Sequence, residues 1–191
     1  MSRRVIEARA RIFVGCEGES EDGYATFLAT LARDLGLPVA VDPHILKNGD
    51  PLSRLQWAVA CVDREQKKRG AYVARFAFLD TDQRDLVPGR SVEIATLARQ
   101  HDITLIWQEP DHEGLLLQHF DHKERKRPAT KAESMKAVLR VWNGYEKNST
   151  ARQYARALSR EHLTRAADRH EALRCLLAEI GLVEPPPSGM Q

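Results

Sequence analysis

Cysteine is scarce in this chain of 191 residues, and the three present, Cys16, Cys61 and Cys175, lie far apart with no CxxC spacing. An odd, scattered set of thiols excludes a disulfide framework and a zinc knuckle, and is the usage expected of a reducing cytoplasm. Long apolar runs are missing too. No stretch approaches the roughly 18 apolar residues a membrane helix needs, and Met-Ser-Arg-Arg at the start leads into Val5-Ile6-Glu7 with no apolar signal region. Neither export nor membrane insertion is expected. Net charge is also small, +2 with 29% charged residues, so a nucleic-acid surface can arise only from how charge is distributed.

That distribution is uneven. Between Asp121 and Arg169 there are thirteen basic and six acidic residues, a net +7, which leaves −5 for the rest of the chain. An acidic half stands beside a basic one. The length fits one compact domain: an α/β core over residues 1–120, a basic helical part of the same domain over 121–183, and a disordered tail over 184–191 that contains Pro185-Pro186-Pro187.

The first part alternates in period, and no internal repeat is present. Strands are predicted at Arg11–Cys16, Val39–Leu46, Tyr72–Leu79 and Ile103–Trp107. Helices are predicted from Tyr24 to Leu35 with Gly36 as the stop, from Asp50-Pro51 to about Arg69, and from Ser91 to Gln100. Asp50 is the expected cap of the second of these, with proline at its first position. Strands separated by such helices imply right-handed crossovers and a mostly parallel sheet covered on both faces. After Phe120 only helices are expected, at Ala132–Trp142, Ala151–Ser159 and Glu161–Ile180, the last closed by Gly181. Trp57, Trp107 and Trp142 fall on apolar faces and are expected in the core.

Two strands end abruptly in acids. Phe76-Ala77-Phe78-Leu79 runs into Asp80-Thr81-Asp82, and the strand ending at Cys16 runs into Glu17. Residues placed there sit at the carboxyl edge of a parallel sheet, where open α/β folds bind ligands. Repelling carboxylates gathered at one edge call for a cation, and oxygen-only donors suit Mg²⁺ or Mn²⁺. Glu17-Gly18-Glu19-Ser20-Glu21 extends the cluster. There Gly18 is expected to permit a backbone a Cβ would hinder, and Ser20 to cap the following helix, whose positive end favours phosphate. For Glu19 and Glu21 a simple helix-start role is an equal alternative.

These residues resemble a known group. Glu17-Gly18-x-Ser20-Glu21-x-x-Tyr24, Asp80-x-Asp82 and Pro110-x-x-Glu113-x-Leu115-Leu116-Leu117-x-His119-Phe120 are similar to three motifs of the RloB-like family, a bacterial Toprim-type group, and Gly144-Tyr145-x-Lys147 is similar to its C-terminal region. The chain departs from that pattern at Ala25, Glu109, His112 and Leu115, which bear on substrate contacts more than on metal binding. The resemblance implies a Toprim-like, Rossmannoid sheet and a metal-dependent nuclease of DNA or RNA in antiphage defence. It also implies a partner ATPase or restriction system. On this reading Glu17 is a ligand or general base, Asp80 and Asp82 are metal ligands, Glu21 and Glu113 are candidates for a second metal, and Lys147 stabilises charge on the phosphate.

Other signals are less specific. His119 and His122 share a helix face but lack a third strong ligand, so His119 is expected either to pack or to touch substrate. Arg125-Lys126-Arg127-Pro128 is a candidate nucleic-acid loop, with a solvated surface as the alternative. A haloacid-dehalogenase-type phosphatase would place the DxD on its first strand, and a nucleotide-sugar transferase would need a longer chain. A non-catalytic binding or scaffold subunit is the remaining reading. Oligomeric state is not legible.

Overall fold

A computed structural model of the chain describes residues 9–47, 49–81, 84, 89–121 and 127–185. Asn48, Asp82, His122, Lys123, Arg125, Lys126 and the tail from 186 lie outside the described residues. The order is β1 Ala10–Cys16, α1 Glu19–Asp34, β2 Val39–Ile45, α2 Pro51–Arg69, β3 Ala74–Asp80, α3 Arg90–Gln100, β4 Thr104–Gln108, α4 His112–Leu117, α5 Lys131–Val141, α6 Ala151–Ala157, α7 Arg160–Ala167 and α8 Glu171–Ile180. The four strands form an all-parallel sheet in the order β2-β1-β3-β4, a Rossmannoid α/β arrangement.

Alternation along the strands divides the core between the two faces. Ile12, Val14, Phe76, Phe78 and Ile106 pack with Tyr24, Phe27 and Leu28 of α1 and with apolar residues of the C-terminal helices, among them Leu163, Leu173 and Leu177. Phe13, Ala77 and Leu79 point the other way, onto Leu55, Ala58 and Val62 of α2 and Ile94 and Ala98 of α3. The basic helices therefore share their hydrophobic core with the sheet. The chain leaves β1 toward β2, returns to β3 on the opposite side and continues outward to β4. This places the point where strand order reverses between the carboxyl ends of β1 and β3, the place where open sheets bind ligands.

Local signals explain most element ends. Asp50 caps α2, its Oδ1 accepting from the Ser53 amide at 2.8 Å, with Pro51 at the first position. Gly181 closes α8 in the left-handed region, φ 87°. α1 starts at Glu19, well before the expected Tyr24, because three acids in its first turn favour the positive helix end. Gly18, not Ser20, is its cap, and with φ −151° its extended backbone makes no demand for glycine. The Ser20 hydroxyl accepts instead from the Asn148 amide at 3.1 Å.

The helix expected over Glu161–Ile180 is two helices, α7 and α8, which fold back on each other. His170 makes the break: one ring nitrogen accepts from the Leu173 amide at 3.3 Å and Nε2 donates to the Trp107 carbonyl on β4 at 2.8 Å. The three tryptophans are partly buried at the margins of the two cores. The three cysteines are free, Cys16 and Cys61 buried. Among the described residues, no helix is long and apolar enough to cross a membrane.

Candidate metal centre

Glu17 is the residue after β1 and Asp80 the last of β3, and the two meet. Glu17 Oε2 accepts from the Asp80 backbone amide at 2.8 Å, while Oε1 accepts from the Arg54 guanidinium at 2.7 Å. Asp80 is 7% exposed, and its Oδ2 accepts from Lys131 Nζ at 2.9 Å. Burial pushes the Asp80 carboxyl up to about 8, with the Glu17 charge adding to the rise and Lys131 opposing it. Burial raises Glu17 as well, against the lowering from the Asp80 amide and Arg54. Asp82 falls outside the described residues; Thr81 before it is tied to the Gln108 carbonyl through both its amide and its hydroxyl, at 3.0 and 3.1 Å.

Further carboxylates close around this pair. Glu21, one turn into α1, is 5% exposed and accepts from the Gly18 amide at 3.1 Å. Glu113 on α4 accepts from the Tyr145 hydroxyl at 2.8 Å. Asp111 caps α4 by accepting from the Gly114 amide at 3.0 Å, and burial followed by the Glu113 charge pushes it up to about 6. Glu17, Glu21, Asp80, Asp111 and Glu113 line one cavity of about 220 Å³, and Lys147 stands on its rim. The turn carrying Lys147 is pinned onto the start of α1 by the bond from Asn148 to Ser20.

Behind the acids lies a buried polar chain. Gln108, in register with Asp80, is fully buried. With its amide nitrogen turned to the acids it donates to Glu21 Oε1 at 2.9 Å and to Asp80 Oδ1 at 3.3 Å, and its oxygen accepts from His112 Nδ1 at 2.6 Å. The opposite orientation would set oxygen against carboxylate oxygens. His112, whose pKa burial lowers, places Nε2 2.9 Å from the Tyr154 hydroxyl, which also reaches the Ser20 carbonyl at 3.1 Å. His119 is also fully buried, its Nε2 3.0 Å from the Tyr24 hydroxyl, and burial pushes it down to about 3. It packs, and from that position it does not reach nucleic acid. Arg127 is exposed and bonded to Glu109 at 2.8 Å. Arg125 and Lys126, the other two members of the expected loop, are outside the described residues.

Sequence reasoning missed Arg54, Gln108, Asp111 and Lys131. Asp111 had a signal, an acid three residues before the amide it caps. Arg54 and Lys131 had none, lying 37 and 51 residues from their partners. Among the described residues, no group of three or more His, Cys, Asp and Glu side chains stands ready to hold a metal. Each carboxylate instead has its own donor. The acids lining the cavity offer oxygen donors only, the kind hard divalent cations take, and burial raises three of them, Glu17, Asp80 and Asp111. Comparisons with protein-family models, with curated proteins and with solved structures give no match, so the likeness to the RloB-like family rests on the motifs quoted above.

Proposed function

We propose that this protein is a metal-dependent nuclease of the Toprim type that hydrolyses phosphodiester bonds of DNA or RNA. The observation that carries the reading is the hydrogen bond joining Glu17 to Asp80 at the point where strand order reverses. A divalent cation, Mg²⁺ or Mn²⁺, bound there would neutralise phosphate charge and activate water. Glu17 and Asp80, with Asp82, are the residues to hold it, and Glu21, Asp111 and Glu113 are within the same cavity for a second. Lys147 on the rim and the exposed Lys131 supply cations to the phosphate side. A role in antiphage defence beside an ATPase or restriction system follows from the motif likeness alone.

One observation favours the non-catalytic alternative. Arg54 and Lys131 already sit on Glu17 and Asp80, as in a site whose acids are permanently neutralised by protein cations. A single experiment separates the two. Purified protein is incubated with plasmid, single-stranded DNA and tRNA in Mg²⁺, in Mn²⁺ and in chelator, beside Glu17→Gln. Metal-dependent cleavage lost in Glu17→Gln supports the nuclease. Binding without cleavage under every metal condition overturns it in favour of the binding subunit.

A further inference from the structure

We infer that Gln108 is a positioning residue of the candidate metal centre, whose side-chain amide holds Asp80 of β3 and Glu21 of α1 at a fixed separation as ligands for a divalent cation. This rests on the metal-dependent reading proposed above and adds what keeps its ligands in place. The two acids come from different elements, and Gln108 reaches both: one N–H goes to Glu21 Oε1 at 2.9 Å and the other to Asp80 Oδ1 at 3.3 Å. Sheet register puts it there. Gln108 on β4 is paired with Asp80 on β3, and residues so paired direct their side chains to the same face.

The chemistry of an amide suits the task, since one nitrogen carries two donors and no charge. Arg54 and Lys131 also bond the acids of the site, but as cations they compete with a metal for the same negative charge. Gln108 supplies hydrogen bonds and leaves that charge for the ion. Its oxygen is engaged from behind, accepting from His112 Nδ1 at 2.6 Å, and His112 Nε2 lies 2.9 Å from the Tyr154 hydroxyl, which reaches the Ser20 carbonyl at 3.1 Å. Ser20 precedes Glu21, so these contacts return to the helix that carries one of the two acids. Turning the amide over would set oxygen against carboxylate, and because Gln108 is fully buried, bulk water does not stand in for it. The hydrogen-bonding partners of ligating carboxylates orient them, and losing one typically weakens metal binding about 10–100-fold. The Gln108 main-chain carbonyl also holds Thr81, at 3.0 Å from its amide and 3.1 Å from its hydroxyl. That carbonyl survives any substitution, so a side-chain variant tests the amide alone.

The test titrates Mn²⁺ into the full chain by calorimetry, for wild type, Gln108→Met and Gln108→Asn, at a temperature where circular dichroism shows each to be folded. Cleavage of plasmid, single-stranded DNA and tRNA is followed in parallel. Methionine keeps the length of the side chain and removes its donors. Asparagine keeps a buried amide but is one methylene too short to span His112 and both acids, and it decides the matter where the methionine variant does not fold. The Kd for Mn²⁺ is expected to rise about 10–100-fold in both. A role in packing alone would lower Tm and leave Kd unchanged. Wild-type affinity in either folded variant therefore overturns the inference, and cleavage by wild type then leaves the nuclease standing. Weakened Mn²⁺ binding in the variants with no cleavage of any of the three nucleic acids removes the nuclease and leaves Gln108 in its role. Absence of Mn²⁺ binding by wild type removes both.

Discussion

Asp80 donates its backbone amide to Glu17 Oε2 at 2.8 Å, so the acids that end β1 and β3 are held together through main chain as well as through charge. Glu17 also accepts from Arg54, and Asp80 from Lys131, which makes the pair a four-residue arrangement of two carboxyl groups and two cations at the reversal of strand order.

Asp80 should make stability depend on pH. Its folded pKa of about 8 lies above the unfolded value near 3.9, so between these the native state binds more protons than the unfolded one, and stability falls as pH rises. The slope from this group is at most about 1.4 kcal/mol per pH unit. Asp80→Asn removes it. The stability of Asp80→Asn relative to wild type should rise from about pH 4 to pH 8 and level off above, read by denaturant unfolding at several pH values. A difference that does not change with pH rejects the assignment.

Metal should stabilise the fold by mass action, by about 2.7 kcal/mol at a hundredfold excess over Kd. In thermal scans with Mg²⁺ or Mn²⁺, wild type should gain in Tm and Asp80→Asn with Asp82→Asn should not. The gain should increase with pH through about 8, because cation and proton compete for Asp80. A shift undiminished in the double variant would move the metal elsewhere.

The two cations should differ in their structural weight. The Arg54 side chain is 12% exposed and Lys131 47%. Arg54→Met leaves a buried carboxylate unpaired and should cost about 3–5 kcal/mol, whereas Lys131→Met should cost about 1 kcal/mol or less. Urea midpoints give both values, and equal losses would contradict the burial argument.

Gly23 lets α1 pack closely against the turn bearing Lys147, beside the bond from Asn148 to Ser20. A Cβ at this position would lie 2.1 Å from the Ser149 carbonyl oxygen, so Gly23→Ala must push that turn away. A loss of about 1–3 kcal/mol is expected from overpacking. Weaker metal-induced stabilisation should accompany it, since the displaced segment also carries Tyr145, the donor to Glu113. Normal metal response in a destabilised variant would detach the turn from the site.

β1 and β3 were legible because each is a short apolar run, and Asp50-Pro51 and Gly181 marked helix ends through chemistry that acts within a few residues. The start of α1 was legible only to within a turn, because Glu19 and Glu21 suit a first helical turn while Ser20, and not Gly18, reads as the cap. The break between α7 and α8 was hidden for a different reason. Apolar spacing continues through Leu163, Ala166, Leu173 and Leu177, and the interruption depends on His170 reaching Trp107, 63 residues away.

The candidate site divides along the same line. Periodicity and composition alone determined that Glu17 and Asp80 stand at the carboxyl ends of buried strands, since a side chain's place on a strand is a property of its neighbours in sequence. Only the tertiary structure decided which cations face those acids, that Gln108 bridges Glu21 and Asp80, and that His119 is spent on packing against Tyr24. These pairings join segments up to 95 residues apart, and their geometry is set by how α1, α4 and α5 pack against the sheet, which no local pattern encodes.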